Sequence, residues 1–427
     1  MKVLVCDDFK DRCEEIVAAI GDADQAGTDV DSLVETDLTN ELDNLFENVK
    51  ACLRDPNGYK VANIASFDNA DVVILDNNLA NLEIKGTRLT AESIAGYVRA
   101  FTAAPYVVSL NKNPDVDFDL RYLVGDYATR ADLALNTNHL ANPALWTGNP
   151  ADAKDGFLPW YWPNLVTVAD RRREQIAFVE EHLTDSLFGA LEIPKEAVDV
   201  FSRHAKDPLS PDADSDGVTD DGVPNDDVTF LDFFVARDRS LPVKKDRKKL
   251  TVEAKAGNET IRELISRVVA AEIDLWFRRD IVGPQEALVD VPHLLMRMPF
   301  LLGGNVGNLE AWKEAVVAEV APFGMDQELF DQFLKSALFK HDIWTRPGCF
   351  WWPKLRDTEK LNELFTASES EWADAVFCED ISDFVIRETP EGTAPKEFVA
   401  EFDSPWDRRH VKQVTNFKYS PKSRFAV

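Results

Sequence analysis

Basic residues are in short supply. Only 47 lysines and arginines stand against 76 aspartates and glutamates, a net charge of −29 over 427 residues. A chain so negative repels other polyanions, so general affinity for nucleic acid or for an anionic membrane surface is not expected. Cysteine is scarce as well: Cys6, Cys13, Cys52, Cys349 and Cys378 are an odd number and form no CxxC pair. That pattern argues for reduced thiols and against a disulfide framework or a zinc site. No apolar run reaches the roughly 18 residues a membrane helix needs. No basic segment with a short apolar stretch precedes the first strand, so neither a span nor a secretory signal is expected and the chain is placed in the cytoplasm. The six histidines, His139, His182, His204, His293, His341 and His410, show no HxH or HExxH spacing. GxGxxG, Walker and GxSxG patterns are missing too. The cluster Gly303-Gly304-Asn305-Val306-Gly307 is expected to be a turn between helices.

Apolar residues are plentiful. At 45% of the chain, with 10 tryptophans and 26 phenylalanines, they can fill real cores, and the length calls for two or three domains. Lys2-Val-Leu-Val-Cys6 has the composition of a buried strand and runs into Asp7-Asp8. Asp71-Val-Val-Ile-Leu-Asp76 is a second such strand and also ends on a carboxylate. Helical spacing covers Asp11–Ile20, Thr39–Arg54 and Thr90–Thr102. An acidic insertion occupies Gly21–Asn40 and a polar loop Asn77–Lys85. Pro105–Leu110 and Ala131–Leu135 are further strand candidates. Strands alternating with helices predict an α/β fold with a doubly wound parallel sheet, flavodoxin- or receiver-like. Ligands of such sheets bind beyond the carboxyl ends of the strands, where Asp7, Asp8, Asp76 and Ser109 would stand.

These residues resemble the receiver domain of two-component response regulators: an acidic pair, a strand-ending Asp76, Gly86 after it and a strand-ending hydroxyl. The resemblance covers residues 1–140. It implies that Asp76 accepts a phosphoryl group from a histidine kinase or other signalling protein. It also implies Mg²⁺ held by Asp7, Asp8, the Asp76 carboxylate and the Asn78 backbone carbonyl, with Ser109 as the hydroxyl that senses the phosphoryl group. Such an all-oxygen site suits Mg²⁺. Two features depart from the family pattern. The lysine that ends its last strand is missing from Leu133-Ala-Leu-Asn136-Thr137, which leaves Lys112 as the one basic candidate. The segment from Asp8 to Asp76 is also longer than usual, so the receiver is atypical.

Residues 141–164, with Pro143, Pro150, Pro159 and Pro163 around Trp160-Tyr-Trp162, are expected to be a linker that packs as an arm on its neighbour. Residues 165–427 are expected to form a larger, mainly helical or α+β output region, of one or two subdomains, that binds protein. A helix is expected over Asp170–Leu183, with Arg171-Arg-Arg173 as a solvated face or a partner for acidic surface. Asp212, Asp214 and Asp216 match the front of a calcium loop. Its twelfth position is Val223, so Ca²⁺ is not expected there. Asp238, a strand over Leu250–Lys255 carrying Glu253 and Lys255, and a helix from Glu259 outline a metal-dependent nuclease of the PD-(D/E)xK type. That is one alternative function, a structural adaptor with an inactive receiver being the other, with Lys244–Lys249 otherwise a basic turn. Finally, Trp344, Trp351 and Trp352 near Arg346 offer either a core corner or a partner-binding patch.

Overall fold

The computed structural model describes residues 1–24, 27–84, 87–111, 118–119, 130–209, 228–237, 244–282, 287–317, 330–356, 373–387, 410–413 and 417–418. Five strands form a parallel sheet: β1 (Lys2–Asp7), β2 (Asp29–Val34), β3 (Val72–Asp76), β4 (Tyr106–Asn111) and β5 (Leu133–Asn136), in the order β2-β1-β3-β4-β5. The expected α/β sheet is therefore present. Its edge strand β2 lies inside what the sequence presented as an acidic insertion. With only Leu33 buried, Asp29-Val-Asp-Ser-Leu-Val34 has almost no apolar signature. An edge strand with one covered face needs none.

Both faces of the sheet are covered, because successive side chains of a strand point to opposite sides. On one side Val3, Val5, Ile74 and Val108 meet Cys13, Ile16 and Ile20 of helix α1 (Lys10–Ala23). On the other, Leu4, Cys6, Val73, Leu75 and Val107 meet Leu38, Leu42 and Leu45 of α2 (Glu35–Arg54) and Ile94 and Val98 of α3 (Ala91–Phe101). Each such aliphatic side chain contributes about 1.5–3 kcal/mol when fully buried. A reciprocal capping box between Thr90 and Ser93 starts α3. The expected polar loop after Asp76 is instead a hairpin of Asn78–Ile84 and Thr87–Thr90.

The second of these cores does not stop at residue 140. It continues through Val179, Leu187, Phe230, Leu264, Val268, Trp276 and Trp344, carried by α4 (Leu165–Glu181) and α6 (Glu259–Trp276). The 141–164 segment packs as an arm. Trp146 is fully buried and donates to the Leu140 carbonyl (2.8 Å), while the backbone of Leu158 and Trp160 pairs with Asp380 and Glu379.

Two expectations for the C-terminal region are corrected, and two alternatives left open by the sequence are decided. Leu250–Lys255 is not a strand, and Lys244–Lys249 is not a turn. Both belong to helix α5 (Lys244–Lys255). Trp344 and Trp351 are 0% and 2% exposed, so they are core, and Trp352 is half-buried beneath the Arg297 guanidinium. In Arg171-Arg-Arg173 only Arg173 is exposed, and both Arg172 and Arg173 partner acidic groups. Arg171 donates to the carbonyls of Asp342, Ile343 and Thr345, Arg172 is buried, and Arg173 pairs with Asp71 and Asp170. Among the described residues, no helix is long and apolar enough to cross a membrane.

Two buried ionic networks tie the parts together. Asp132 accepts from Arg99 (2.9 Å) and Arg172 (3.0 Å). Arg172 reaches on to Asp274, which also pairs with Arg278. Farther on, His293 contacts Asp290 (2.5 Å) and Glu379 (3.3 Å), and the Trp160 indole donates to Asp290. Burial alone would lower the His293 pKa, but the Asp290 charge and hydrogen bond outweigh it and lift it to about 9. A folded pKa above the unfolded value stabilises fully below about 6.5 and loses that contribution as pH rises through 9. Unfolding free energy should therefore fall across pH 6.5–9 by up to about 3 kcal/mol from this group. His293→Gln should flatten that slope in urea titrations, and an unchanged slope would show that the pair does not cause it.

Candidate functional site

β1 and β3 are neighbours, yet the chain leaves β1 for β2 on one side and returns to β3 on the other. This is the topological switch point, where a crevice opens beyond the strand ends. Asp7 ends β1, Asp8 follows it and Asp76 ends β3, with exposures of 1%, 6% and 4%. One carboxylate oxygen from each can be chosen so that all three lie within 4.8 Å of one another. The acidic pocket expected from strand parity is formed.

The three carboxylates are held but not satisfied. Asp7 Oδ1 accepts the Phe9 amide (2.8 Å) at the start of α1. Asp8 Oδ2 accepts both the backbone amide (3.1 Å) and the side-chain amide (2.7 Å) of Asn81, from the hairpin. Asp7 Oδ2, Asp8 Oδ1 and Asp76 Oδ2 are buried and accept no hydrogen bond from the described residues. Burial first, then the negative charge of Asp7, pushes the Asp76 carboxyl up to about 6, against the opposing pull of Arg12. Asp7 is also raised, mainly by burial. Three buried oxygens with surplus negative charge and no hydrogen bond among the described residues fit a hard divalent cation, for which oxygen ligands are the natural set. Asn78 adds a backbone amide that steadies Asp76. Nothing in the geometry singles out its carbonyl as a ligand.

Sequence reasoning missed Arg12. Its Nη1 lies 3.6 Å from Asp76 Oδ2 and 3.8 Å from Asp8 Oδ1, and its guanidinium stacks over Phe9 at 4.3 Å. The signal was available. Arg12 is four residues beyond Asp8, on the first turn of α1, so it returns over the strand end.

One expected member, Ser109, is elsewhere. β4 pairs with β3 so that Leu110 stands opposite Asp76 and Ser109 opposite Leu75. Because side chains alternate, Ser109 is buried on the α2–α3 side, away from the Asp76 face. Asn136, at the position where the resemblance to receiver domains called for a lysine, is spent on capping: its Oδ1 accepts the His139 amide at 2.9 Å. Lys112 lies outside the described residues.

Of the nuclease candidates, Glu253 and Lys255 sit on helix α5, two residues apart. That spacing turns them to different sides of a helix, where the chemistry needs neighbouring strand positions. Asp238, Asp212, Asp214 and Asp216 lie outside the described residues. All five cysteines are buried and unpaired. Comparison of the chain with protein-family models, with curated proteins and with solved structures finds no match.

Proposed function

We propose that this chain is an atypical receiver-type signalling protein of the cytoplasm. Asp76 accepts a phosphoryl group from a histidine kinase or other donor, and the C-terminal region passes the change to a protein partner. The observation that carries this reading is the convergence of three buried, hydrogen-bond-poor carboxylate oxygens at the switch point.

Asp7, Asp8 and Asp76 would hold Mg²⁺. Bound there, the ion offsets the carboxylate charge and that of the incoming phosphoryl oxygens. Asp76 is the nucleophile: its free oxygen bonds to phosphorus while the donor's bond to phosphorus breaks and the leaving group keeps the electron pair. Arg12 supplies the positive charge on the α1 side, the role the absent lysine leaves open. With Ser109 turned to the other face, the responding element is the hairpin, because Asn81 holds Asp8 by two hydrogen bonds. A change in the charge at the pocket alters the acceptor strength of Asp8 and so the hold on that hairpin.

Incubation with acetyl phosphate and Mg²⁺, read by intact mass, should give one phosphoryl adduct that is lost in Asp76→Asn. Arg12→Ala should shorten the adduct's lifetime, since a dianion loses its nearest cation. An adduct retained in Asp76→Asn, or none at all with wild type, would overturn the assignment.

A further inference from the structure

At the opposite, amino-terminal edge of the sheet lies a cavity of about 220 Å³, bounded by β4, the 160–164 arm, α4, the end of α6 and residues 344–349. Its walls are aromatic: Tyr106, Trp160, Trp162 and Trp344 all line it. Four guanidinium groups, Arg171, Arg172, Arg278 and Arg346, line it as well, against only two carboxylates, Asp274 and Asp290. Asp132 and Asp274 take up Arg172 and Arg278, which leaves Arg171 and Arg346 against Asp290, a small local excess of positive charge in a protein of net charge −29.

The donors on its walls exceed the acceptors. Trp162 Nε1, Trp344 Nε1 and Arg278 Nε are buried and donate to no atom among the described residues. Arg346 lies over Trp160, its Cζ 3.7 Å from the ring centroid, and donates to the Trp160 carbonyl. Arg171 ties α4 to the segment that carries Arg346, through the carbonyls of Asp342, Ile343 and Thr345. A guanidinium already stacked on an aromatic wall is pre-organised to receive an anion in its plane. Flat aromatic walls select a flat ligand.

We propose that this cavity binds a small planar anion, a single aromatic or heteroaromatic ring bearing a carboxylate. The ring stacks among the tryptophans and the carboxylate meets the Arg346 fork. Pockets of this kind pair apolar walls with a few placed polar groups. The site is separate from the acidic pocket and does not depend on it.

Titration of the full-length protein with nicotinate, followed by tryptophan fluorescence and calorimetry, is the test. Nicotinate should bind saturably, and neutral nicotinamide, the same ring without the charge, at least about tenfold more weakly. Arg346→Met should weaken nicotinate at least about tenfold, because the lost bonds are charge-assisted. Should that variant misfold, Arg346→Lys keeps the charge, loses the stacked fork and should show the same loss. Asp76→Asn should bind as wild type. Equal binding of the two ring compounds, inorganic phosphate binding as tightly as nicotinate, no saturation with nicotinate or benzoate, or unchanged affinity in the Arg346 variants would each overturn the proposal.

Discussion

Asp132→Ala is expected to destabilise the folded protein by about 3–5 kcal/mol, the usual consequence of removing one partner from a buried ion pair. Asp132 is 1% exposed. Its Oδ1 accepts from Arg99 and Arg172, and its Oδ2 accepts the Val107 amide on β4 at 2.8 Å. Both arginines are 2% exposed, so neither can turn to water when the carboxylate goes. Glu272 at 3.8 Å from Arg99 and Asp274 at 3.3 Å from Arg172 remain, but each is a longer contact than the one lost. The methyl group of alanine also leaves the Val107 amide unpaired, a further penalty of about 1–3 kcal/mol for a buried donor. The effect should be felt beyond the sheet, because Arg172 belongs to α4 and Glu272 and Asp274 to α6. Urea unfolding followed by far-ultraviolet dichroism and by tryptophan fluorescence should show both signals shifting together. A loss below about 1 kcal/mol would mean that the arginines find solvent and the network is not structural.

That network was not legible in the sequence, for a physical reason. Arg99, Asp132, Arg172, Glu272 and Asp274 are scattered over the chain, and an isolated charged residue carries no periodic signal to distinguish a buried one from a solvated one. The same holds for His293, which meets Asp290 three residues back but Glu379 far downstream. What could be read was local. β1, β3 and β4 are near-continuous apolar runs because both faces of a parallel strand are covered. Their terminal carboxylates followed from where those runs stop. β2 escaped because half of its residues, Asp29, Asp31 and Ser32, are polar and Leu33 alone is buried. Leu250–Lys255 was misread because Val252 and Thr251 favour a strand, whereas the surrounding lysines and Glu253 favour a helix and Leu250 and Ala254, at helical spacing, are the residues that bury. The tryptophans of 344–352 were ambiguous, since composition does not say which way a ring faces.

Millimolar Mg²⁺ is expected to raise the melting temperature of the wild-type protein and to leave Asp76→Asn nearly unmoved, while in EDTA the variant should be the more stable of the two. In the metal-free protein, Asp7, Asp8 and Asp76 crowd negative charge into a buried pocket, and burial with the Asp7 charge drives the Asp76 carboxyl up to about 6. Replacing Asp76 by the uncharged, nearly isosteric asparagine removes that repulsion, a gain on the order of 2 kcal/mol. Functional carboxylates commonly carry such a cost to stability. The cation reverses the ranking, because a ligand that binds only the folded state stabilises it by about 2.7 kcal/mol at one hundred times its dissociation constant. Asparagine retains one oxygen but not the charge, so most of that gain is lost. Arg12 is the internal competitor: at 3.6 Å from Asp76 it already offsets part of the charge. Arg12→Ala should therefore lower stability in EDTA and enlarge the Mg²⁺ shift. Thermal unfolding of the wild type and these two variants, with EDTA and with Mg²⁺, checks all three expectations. Equal Mg²⁺ shifts in wild type and Asp76→Asn would place the cation elsewhere. A variant less stable than wild type in EDTA would mean that Arg12 alone neutralises the pocket and that no cation is needed.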